Sequence, residues 1–134
     1  MGYGAIRKQA QDWLDNHVNN LMGEDVNKYL FYTAAVTACD AASTYARRYS
    51  EKCLEKAASC TDPKRKAELE SMADSLAWIS ENPCRTFREA LQAVILYQLL
   101  MRMSHIRDVG SFGRIDQYTW PYLKSDLEKD NITM

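Results

Sequence analysis

The sequence predicts a mainly α-helical fold of four or five helices. Apolar residues recur about every 3.6 positions along each long segment, and Gly and Pro signals separate those segments. Almost no alternating strand pattern is present. At 134 residues the chain is long enough to bury one core and too short for a large two-domain enzyme. We therefore expect one helical unit with at most one short strand.

The first two predicted helices occupy the amino-terminal half of the chain. An amphipathic pattern over residues 5–21 predicts the first helix, and Gly23 ends it. A second helical pattern extends over residues 26–60 with no internal Gly or Pro. That length predicts one long helix.

Capping signals define the starts of the third and fourth predicted helices. Asp62 can cap a helix whose first residue is Pro63, and the Asn-Pro pair at residues 82–83 closes it. Thr86 and Glu89 then show the pattern of a capping box, in which the hydroxyl and the carboxylate satisfy reciprocal backbone donors. We expect both residues to have a structural role at the start of the fourth helix.

The fourth predicted helix is strongly apolar. Residues 90–103 are apolar nearly all round, which predicts burial on several faces inside a larger body. A membrane span is the competing interpretation. However, Gln92, Gln98 and Arg102 interrupt a run that is already shorter than the roughly 20 apolar residues a bilayer requires. We therefore exclude a membrane as partner.

Glycines bracket the segment that follows the fourth helix. The helical period is lost there, and Gly110 and Gly113 indicate that residues 105–114 form a loop or a short strand. Loops of this kind often carry functional residues.

A last helix is expected over residues 116–129. Asp116 is its predicted capping residue. Because proline lacks an N–H and clashes with the preceding turn, Pro121 must lie in the first turn of this helix or break it. Arg114 and Asp116 are expected to hold the preceding loop together by charge-assisted hydrogen bonds.

Composition and charge exclude several classes of protein. Lys and Arg total 17 against 18 Asp and Glu, a formal charge of −1, so no basic field favours nucleic acid. The four cysteines form no C-x-x-C pair and the two histidines lie far apart, so no metal is expected. No export signal is evident at the start, which predicts a cytoplasmic protein with reduced thiols, although an even number of cysteines also permits disulfides.

Two dense motifs lie on either side of the apolar helix. Residues 82–92 read N-P-C-R-T-F-R-E-A-L-Q, and residues 113–121 read G-R-I-D-Q-Y-T-W-P. They resemble the patterns N-P-x-R-T-F-x-E-A-L-Q and G-R-x-D-Q-Y-x-x-P of the glycyl radical enzymes, a family that includes pyruvate formate-lyase and glycerol dehydratase. Residues 39–49 and the tail after the second motif are also similar. The resemblance therefore covers nearly the whole chain.

The resemblance implies that the chain is an internal slice of a larger α/β barrel enzyme. Members of this family surround a barrel of parallel strands with helices, and they carry a catalytic cysteine on one inner loop and a radical-bearing glycine on another. Residues 1–134 would form a partial pyruvate formate-lyase-like domain that lacks the cysteine loop and the glycyl radical domain.

The same resemblance implies what the parent protein does. It would be an anaerobic radical lyase, dehydratase or formate acetyltransferase-like enzyme acting on a small polar substrate. A radical S-adenosylmethionine activating enzyme would install its glycyl radical. This segment would bind no cofactor, would supply helical scaffold and one pocket wall, and would be inactive alone.

Two partial matches to the radical motifs of the family are interpreted as structural. Cys53 and Glu55 repeat the C-x-E pattern of the thiyl cysteine, but they lie mid-helix between lysines instead of on a loop between Gly and Pro. Gly110 lies in a segment similar to the R-V-x-G-aromatic motif, but with an extra residue and with Ser111 where the aromatic belongs. We therefore expect no catalytic residue in this chain.

Substrate contacts are expected just ahead of Gly113. The diol dehydratases of the family carry a His-Ser pair there that hydrogen-bonds substrate hydroxyls, whereas this chain has Asp108 and Val109. The resemblance thus implies a cationic or donor-rich substrate, with Asp108 accepting from an ammonium or a hydroxyl. A capping or salt-bridge role for Asp108 is the alternative. His105 is a third candidate contact, with a helix C-cap as its alternative role.

A non-enzymatic hypothesis also remains open. A stand-alone helical module would bind a partner through the apolar surface of residues 90–103. Under either hypothesis the isolated chain is expected to expose Leu91, Leu96 and Leu100 and to self-associate, because its buried helix lacks partners. Cysteine and glycine motifs in a downstream reading frame would favour the enzyme, and a native stop after Met134 would favour the module.

Overall fold

The computed structural model describes residues 1–19, 21–103 and 111–132. Within those ranges it contains five α-helices and no strand, which confirms the helical prediction. The helices are α1 (Tyr3–His17), α2 (Asp25–Ala58), α3 (Pro63–Ile79), α4 (Phe87–Met103) and α5 (Ile115–Glu128). Each lies close to its predicted position.

The chain divides into two compact units, Met1–Pro83 and Cys84–Met134. The sequence predicts a single unit, and the structure corrects this expectation. The boundary falls at the Asn-Pro pair, where proline restricts its predecessor to extended conformations. The first unit contains α1, α2 and α3, and the second contains α4 and α5.

The central helix of the first unit is α2, which spans 34 residues. Its buried face is a stripe of small side chains, which lets the neighbouring helices approach closely. The stripe comprises Cys39, Ala42, Ser43, Ala46, Ser50, Cys53 and Ala57. The other helices supply larger side chains to the core, among them Leu14 of α1 and Leu69, Leu76 and Ile79 of α3.

Two buried serines of α2 bind the backbone of α3 and its end. Ser43 Oγ donates to the Ser80 carbonyl at 2.7 Å, and Ser50 Oγ donates to the Ala73 carbonyl at 2.8 Å. A hydroxyl buried without a partner would cost about 1–3 kcal/mol. These bonds remove that penalty and set the register between the two helices.

Glu81, just beyond the end of α3, joins the three helices of the first unit. Arg7 of α1 donates to Glu81 at 3.0 Å and to Asp40 of α2 at 2.8 Å. Arg47 of α2 donates to the same carboxylate at 3.0 Å, and the Gly4 N–H donates to the Glu81 carbonyl at 2.9 Å. The charged groups are partly exposed, so they orient the helices more than they stabilise them.

The start of α3 follows the predicted capping pattern. Asp62 is the N-cap, and its carboxylate accepts from the Lys64 N–H at 3.0 Å. Pro63 is the first residue of the helix, where its missing N–H removes nothing that the helix would use.

In the second unit, α4 and α5 form an antiparallel hairpin. The N–H of Phe87, the first residue of α4, donates to the carboxylate of Asp126 near the end of α5. The buried residues of this hairpin include Ala90 and Leu96 of α4 and Thr119 of α5.

The exposed apolar face of α4 differs from the one predicted. Leu96 is only 6% exposed, and Leu91 and Leu100 are partly buried. The exposed large apolar side chains of α4 are Ile95, Leu99 and Met103 along one face and Tyr97 on another. Since α4 is apolar nearly all round, its sequence does not distinguish the side that packs from the side that does not. Among the helices of the described ranges, none is long and apolar enough to cross a membrane.

Pro121 lies in the second turn of α5, and the helix continues to Glu128. The expectation that Pro121 falls in the first turn or breaks the helix is therefore wrong. An interior proline costs about 3 kcal/mol locally. Thr119 and Asp126, on either side of the proline, are both buried, so packing holds this segment in helical form.

Candidate functional site

A groove in the second unit lies between α4 and the chain that leads into α5. Its volume is about 440 Å³, and its walls are mainly apolar and aromatic with a few polar groups. The lining residues are Ala93, Val94, Tyr97, Gln98, Ser111, Phe112 and Tyr118. Concave apolar surface with a small number of polar groups is the usual form of a small-molecule site. We call this surface the α4–α5 groove.

The turn at residues 111–114 forms one end of the α4–α5 groove. Gly113 has a φ of +59°, a conformation that other residues rarely adopt. Its N–H donates to Ser111 Oγ at 3.2 Å. The Tyr118 hydroxyl, from the start of α5, donates to the Phe112 carbonyl at 2.9 Å. The turn is therefore held by its own backbone and by one side chain of the helix that follows.

Arg114 and Asp116 form a bidentate ion pair directly after this turn. Arg114 Nε donates to Asp116 Oδ1 at 2.9 Å, and Nη2 donates to Oδ2 at 2.7 Å. The guanidinium lowers the pKa of the Asp116 carboxyl, and the carboxylate raises the pKa of Arg114. Asp116 is not the predicted cap of α5: it lies in the first turn, and Arg114 is the N-cap residue without a side-chain capping bond. Both side chains of the pair are well exposed to solvent, so the pair contributes little to the stability of the fold.

Thr86 and Glu89 meet at the start of α4, as the capping box predicts, but with one difference. Thr86 Oγ1 accepts from the Glu89 N–H at 3.2 Å. The Glu89 carboxylate accepts from the backbone N–H of Arg85 at 2.6 Å, one residue ahead of the predicted donor. It also accepts from the Arg85 guanidinium at 2.9 Å. These bonds satisfy the Glu89 carboxylate, whose residue is only 2% exposed.

The three residues predicted to contact substrate lie outside the described residues: His105, Asp108 and Val109. Gly110 lies outside them as well. The described chain resumes at Ser111, which lines the α4–α5 groove.

The C-x-E match at Cys53 lies in the first unit. Cys53 is buried in the small-residue stripe of α2, whereas Glu55 is exposed and pairs with Lys52 at 2.7 Å. The two side chains therefore point in different directions from the helix. All four cysteines are free thiols. Within the parts of the chain that the structure describes, no group of three or more His, Cys, Asp and Glu side chains is placed to hold a metal ion.

Sequence reasoning missed three residues that shape this part of the molecule. Asp126 caps α4 from a distance of 39 residues, and nothing local to it signals that role. Gln98 is buried at 8% exposure in the groove wall, although the sequence suggested only that it interrupts an apolar run. Tyr118 belongs to the second dense motif, so its position in that motif was the available signal.

A family model and relatives from several organisms match this chain. The model described as pyruvate formate lyase-like matches residues 1–134. The isethionate sulfite-lyase of Nitratidesulfovibrio vulgaris is 44% identical over 98% of this chain, and that of Oleidesulfovibrio alaskensis is 38% identical over 98%. The chain spans about one sixth of each relative, with 16% of their length covered.

A solved structure has the same fold over this stretch. A glycyl radical enzyme from Archaeoglobus fulgidus superposes with a TM-score of 0.92 at 30% sequence identity. The match covers 99% of this chain and 17% of that one. The described helices therefore match one stretch of a much longer protein.

Proposed function

This chain belongs to the pyruvate formate lyase-like family of glycyl radical enzymes, and we propose that it is an internal segment of a radical lyase or dehydratase. The proposal rests on the lengths that match. The two sulfite-lyases match 98% of this chain, but the chain spans only 16% of the length of each of them. The segment supplies helical scaffold and one wall of the substrate pocket.

The α4–α5 groove is the part of the segment that we assign to the pocket wall. It is concave, mainly apolar, and edged by Ser111 and Gln98 as hydrogen-bonding groups. It also adjoins in sequence the residues for which the family resemblance implies substrate contact. A largely apolar wall excludes water, which protects radical intermediates from side reactions.

Asp108 is proposed to accept a hydrogen bond from the substrate. The names of the two sulfite-lyase relatives point to isethionate, a molecule with a hydroxyl at one end and a sulfonate at the other. A carboxylate repels a sulfonate and accepts from a hydroxyl, so Asp108 would face the hydroxyl end. Val109 would supply apolar contact and His105 a further polar contact. The substrate class that follows is a small hydroxylated molecule.

The radical itself is assigned to other segments of the parent. The described glycines serve packing and turns: a Cβ on Gly2 or Gly4 would meet Glu81, and Gly23 and Gly113 have positive φ. Cys53 is buried mid-helix. When present in the parent, the glycyl radical, installed by a radical S-adenosylmethionine activating enzyme, supplies the oxidising equivalent for hydrogen abstraction. This chain alone is proposed to be inactive.

Expression of the parent with its activating enzyme in strict absence of oxygen tests the assignment. We expect a glycyl doublet in electron paramagnetic resonance and product from isethionate. Asp108→Asn should raise the KM, whereas the matched exposed change Asp15→Asn in the first unit should not. The isolated chain, given the same activating enzyme, should show neither doublet nor product. A doublet in the isolated chain, or loss of turnover in the parent on Cys53→Ala without loss of folding, would overturn the proposal.

We further propose that the isolated chain self-associates through the exposed face of α4. Ile95, Leu99 and Met103, spaced four residues apart, form an exposed apolar strip along that helix. Leu99→Lys should reduce association in sedimentation velocity, and Leu54→Lys, which changes an exposed leucine of α2, should not. A chain that is already a monomer and does not bind hydrophobic dye would contradict this. It would also remove support from the alternative of a stand-alone docking module.

A further inference from the structure

We propose that Tyr118 is a positioning residue that sets the shape of the α4–α5 groove through its hydrogen bond to Phe112. The inference rests on the proposed function, in which this groove forms part of the substrate-pocket wall. It assigns to Tyr118 a role in turnover without direct contact with the reacting atoms.

The Tyr118 hydroxyl joins the turn at residues 111–114 to the start of α5. Tyr118 Oη donates to the Phe112 carbonyl at 2.9 Å, spanning six residues of chain. Between the two residues lie Gly113, with its positive φ, and the Arg114–Asp116 ion pair. The ion pair joins only two positions and is solvent-exposed, so the Tyr118 hydroxyl is the side-chain group of α5 that ties the turn to the helix.

The closed turn determines which side chains face the groove. Phe112 and Tyr118 both line it, and each is 44% exposed, so neither is anchored by deep burial. Gly113 has no heavy atom within 4 Å of a notional Cβ, which means that steric contacts do not restrain the turn at that point. Without the hydroxyl, the Phe112 carbonyl would turn to solvent and the Phe112 ring would lose its fixed position.

Tyr97 offers a matched control. It lines the same groove and is 50% exposed, but its hydroxyl makes no hydrogen bond within the described part of the chain. Tyr97→Phe and Tyr118→Phe therefore remove the same atom from the same surface. Only the second removes a bond to the turn.

The first test measures the turn without activity. In hydrogen exchange followed by mass spectrometry on the 134-residue chain, Tyr118→Phe should speed exchange of the amides of residues 112–114 several-fold. Tyr97→Phe should leave them unchanged. Equal exchange in the two variants would overturn the inference, because the hydroxyl would then not hold the turn.

The second test uses the activated parent. Tyr118→Phe should lower kcat/KM about three- to tenfold, the range expected for one lost hydrogen bond. The change should lie mainly in KM, with the glycyl doublet and the thermal midpoint unchanged. In a double-mutant cycle, Tyr118→Phe should have little further effect once Phe112→Ala has removed the ring that it positions. Additive effects, or a loss in kcat/KM no larger than that of Tyr97→Phe, would overturn the inference. A parent without any doublet would instead overturn the proposed function.

Discussion

The carboxylate of Asp126, near the end of α5, accepts a hydrogen bond from the N–H of Phe87, the first residue of α4, at 2.8 Å. Asp126 is 4% exposed and is held in turn by the Asn131 side chain at 3.2 Å. A negative charge at a helix N-terminus is favourable, because the unpaired N–H groups there carry partial positive charge. This bond closes the hairpin at the end opposite the α4–α5 groove.

Asp126→Ala should destabilise the second unit by about 1–2 kcal/mol, because it leaves the Phe87 N–H without its acceptor. Urea unfolding gives the free energy, and nuclear magnetic resonance should show faster exchange of the Phe87 amide. Glu128→Ala is the control, since Glu128 is exposed and lies 3.8 Å from Lys124. It should change stability by less than about 0.5 kcal/mol. Equal effects of the two changes would show that Asp126 does not cap α4.

Gly2→Ala should destabilise the first unit by about 1–3 kcal/mol through overpacking. A Cβ on Gly2 would clash with the Glu81 carbonyl oxygen and the Asn82 carbonyl carbon, and both belong to backbone that cannot simply rotate away. Gly23→Ala is the comparison, because Gly23 has a φ of +56° but no neighbour within 4 Å. Thermal unfolding of both variants separates steric clash from local backbone strain. A smaller loss of stability in Gly2→Ala than in Gly23→Ala would contradict this expectation.

The Asp116 carboxyl should titrate below its ordinary pKa of 3.8, because the Arg114 guanidinium stabilises the carboxylate. Since the folded-state pKa is the lower one, the pair contributes stability above the unfolded pKa and loses it as the pH falls through the folded pKa. Carbon-13 titration of the carboxyl should show this shift, and Arg114→Ala should return the pKa towards its ordinary value. Lys124→Ala, which removes a cation from another carboxylate of α5, should leave the Asp116 titration unchanged.

Cys84 should alkylate more slowly than Cys60, although both are partly exposed. Burial and, second, the nearby Glu89 raise the pKa of the Cys84 thiol, and the thiolate is the reactive form. Burial also raises the pKa of Cys39, so that thiol should react slowly as well. Iodoacetamide labelling at pH 8 with peptide mass spectrometry gives the order. In concentrated urea the differences should vanish, and a difference that persisted there would point to local sequence instead of burial.

The sequence by itself determined the helices and most of their starts. Periodicity placed the first three helical segments, and the capping residues Asp62 and Thr86 act as their local patterns predict. The family resemblance rested on motifs that are also local in sequence. These features were predictable because helix hydrogen bonds and caps join residues only a few positions apart.

Only the tertiary structure decided what joins distant parts of the chain. The bonds from Asp126 to Phe87 and from Ser43 to Ser80 span 39 and 37 residues, and no local pattern signals either. The buried side of α4 was equally hidden, because a helix that is apolar nearly all round gives no amphipathic direction. The helical state of Pro121 depended on the same packing, since burial on both sides of the proline outweighs its local cost. Which distant residues pair depends on the free energy of the complete packed fold. Such pairs are therefore seen only in the tertiary structure.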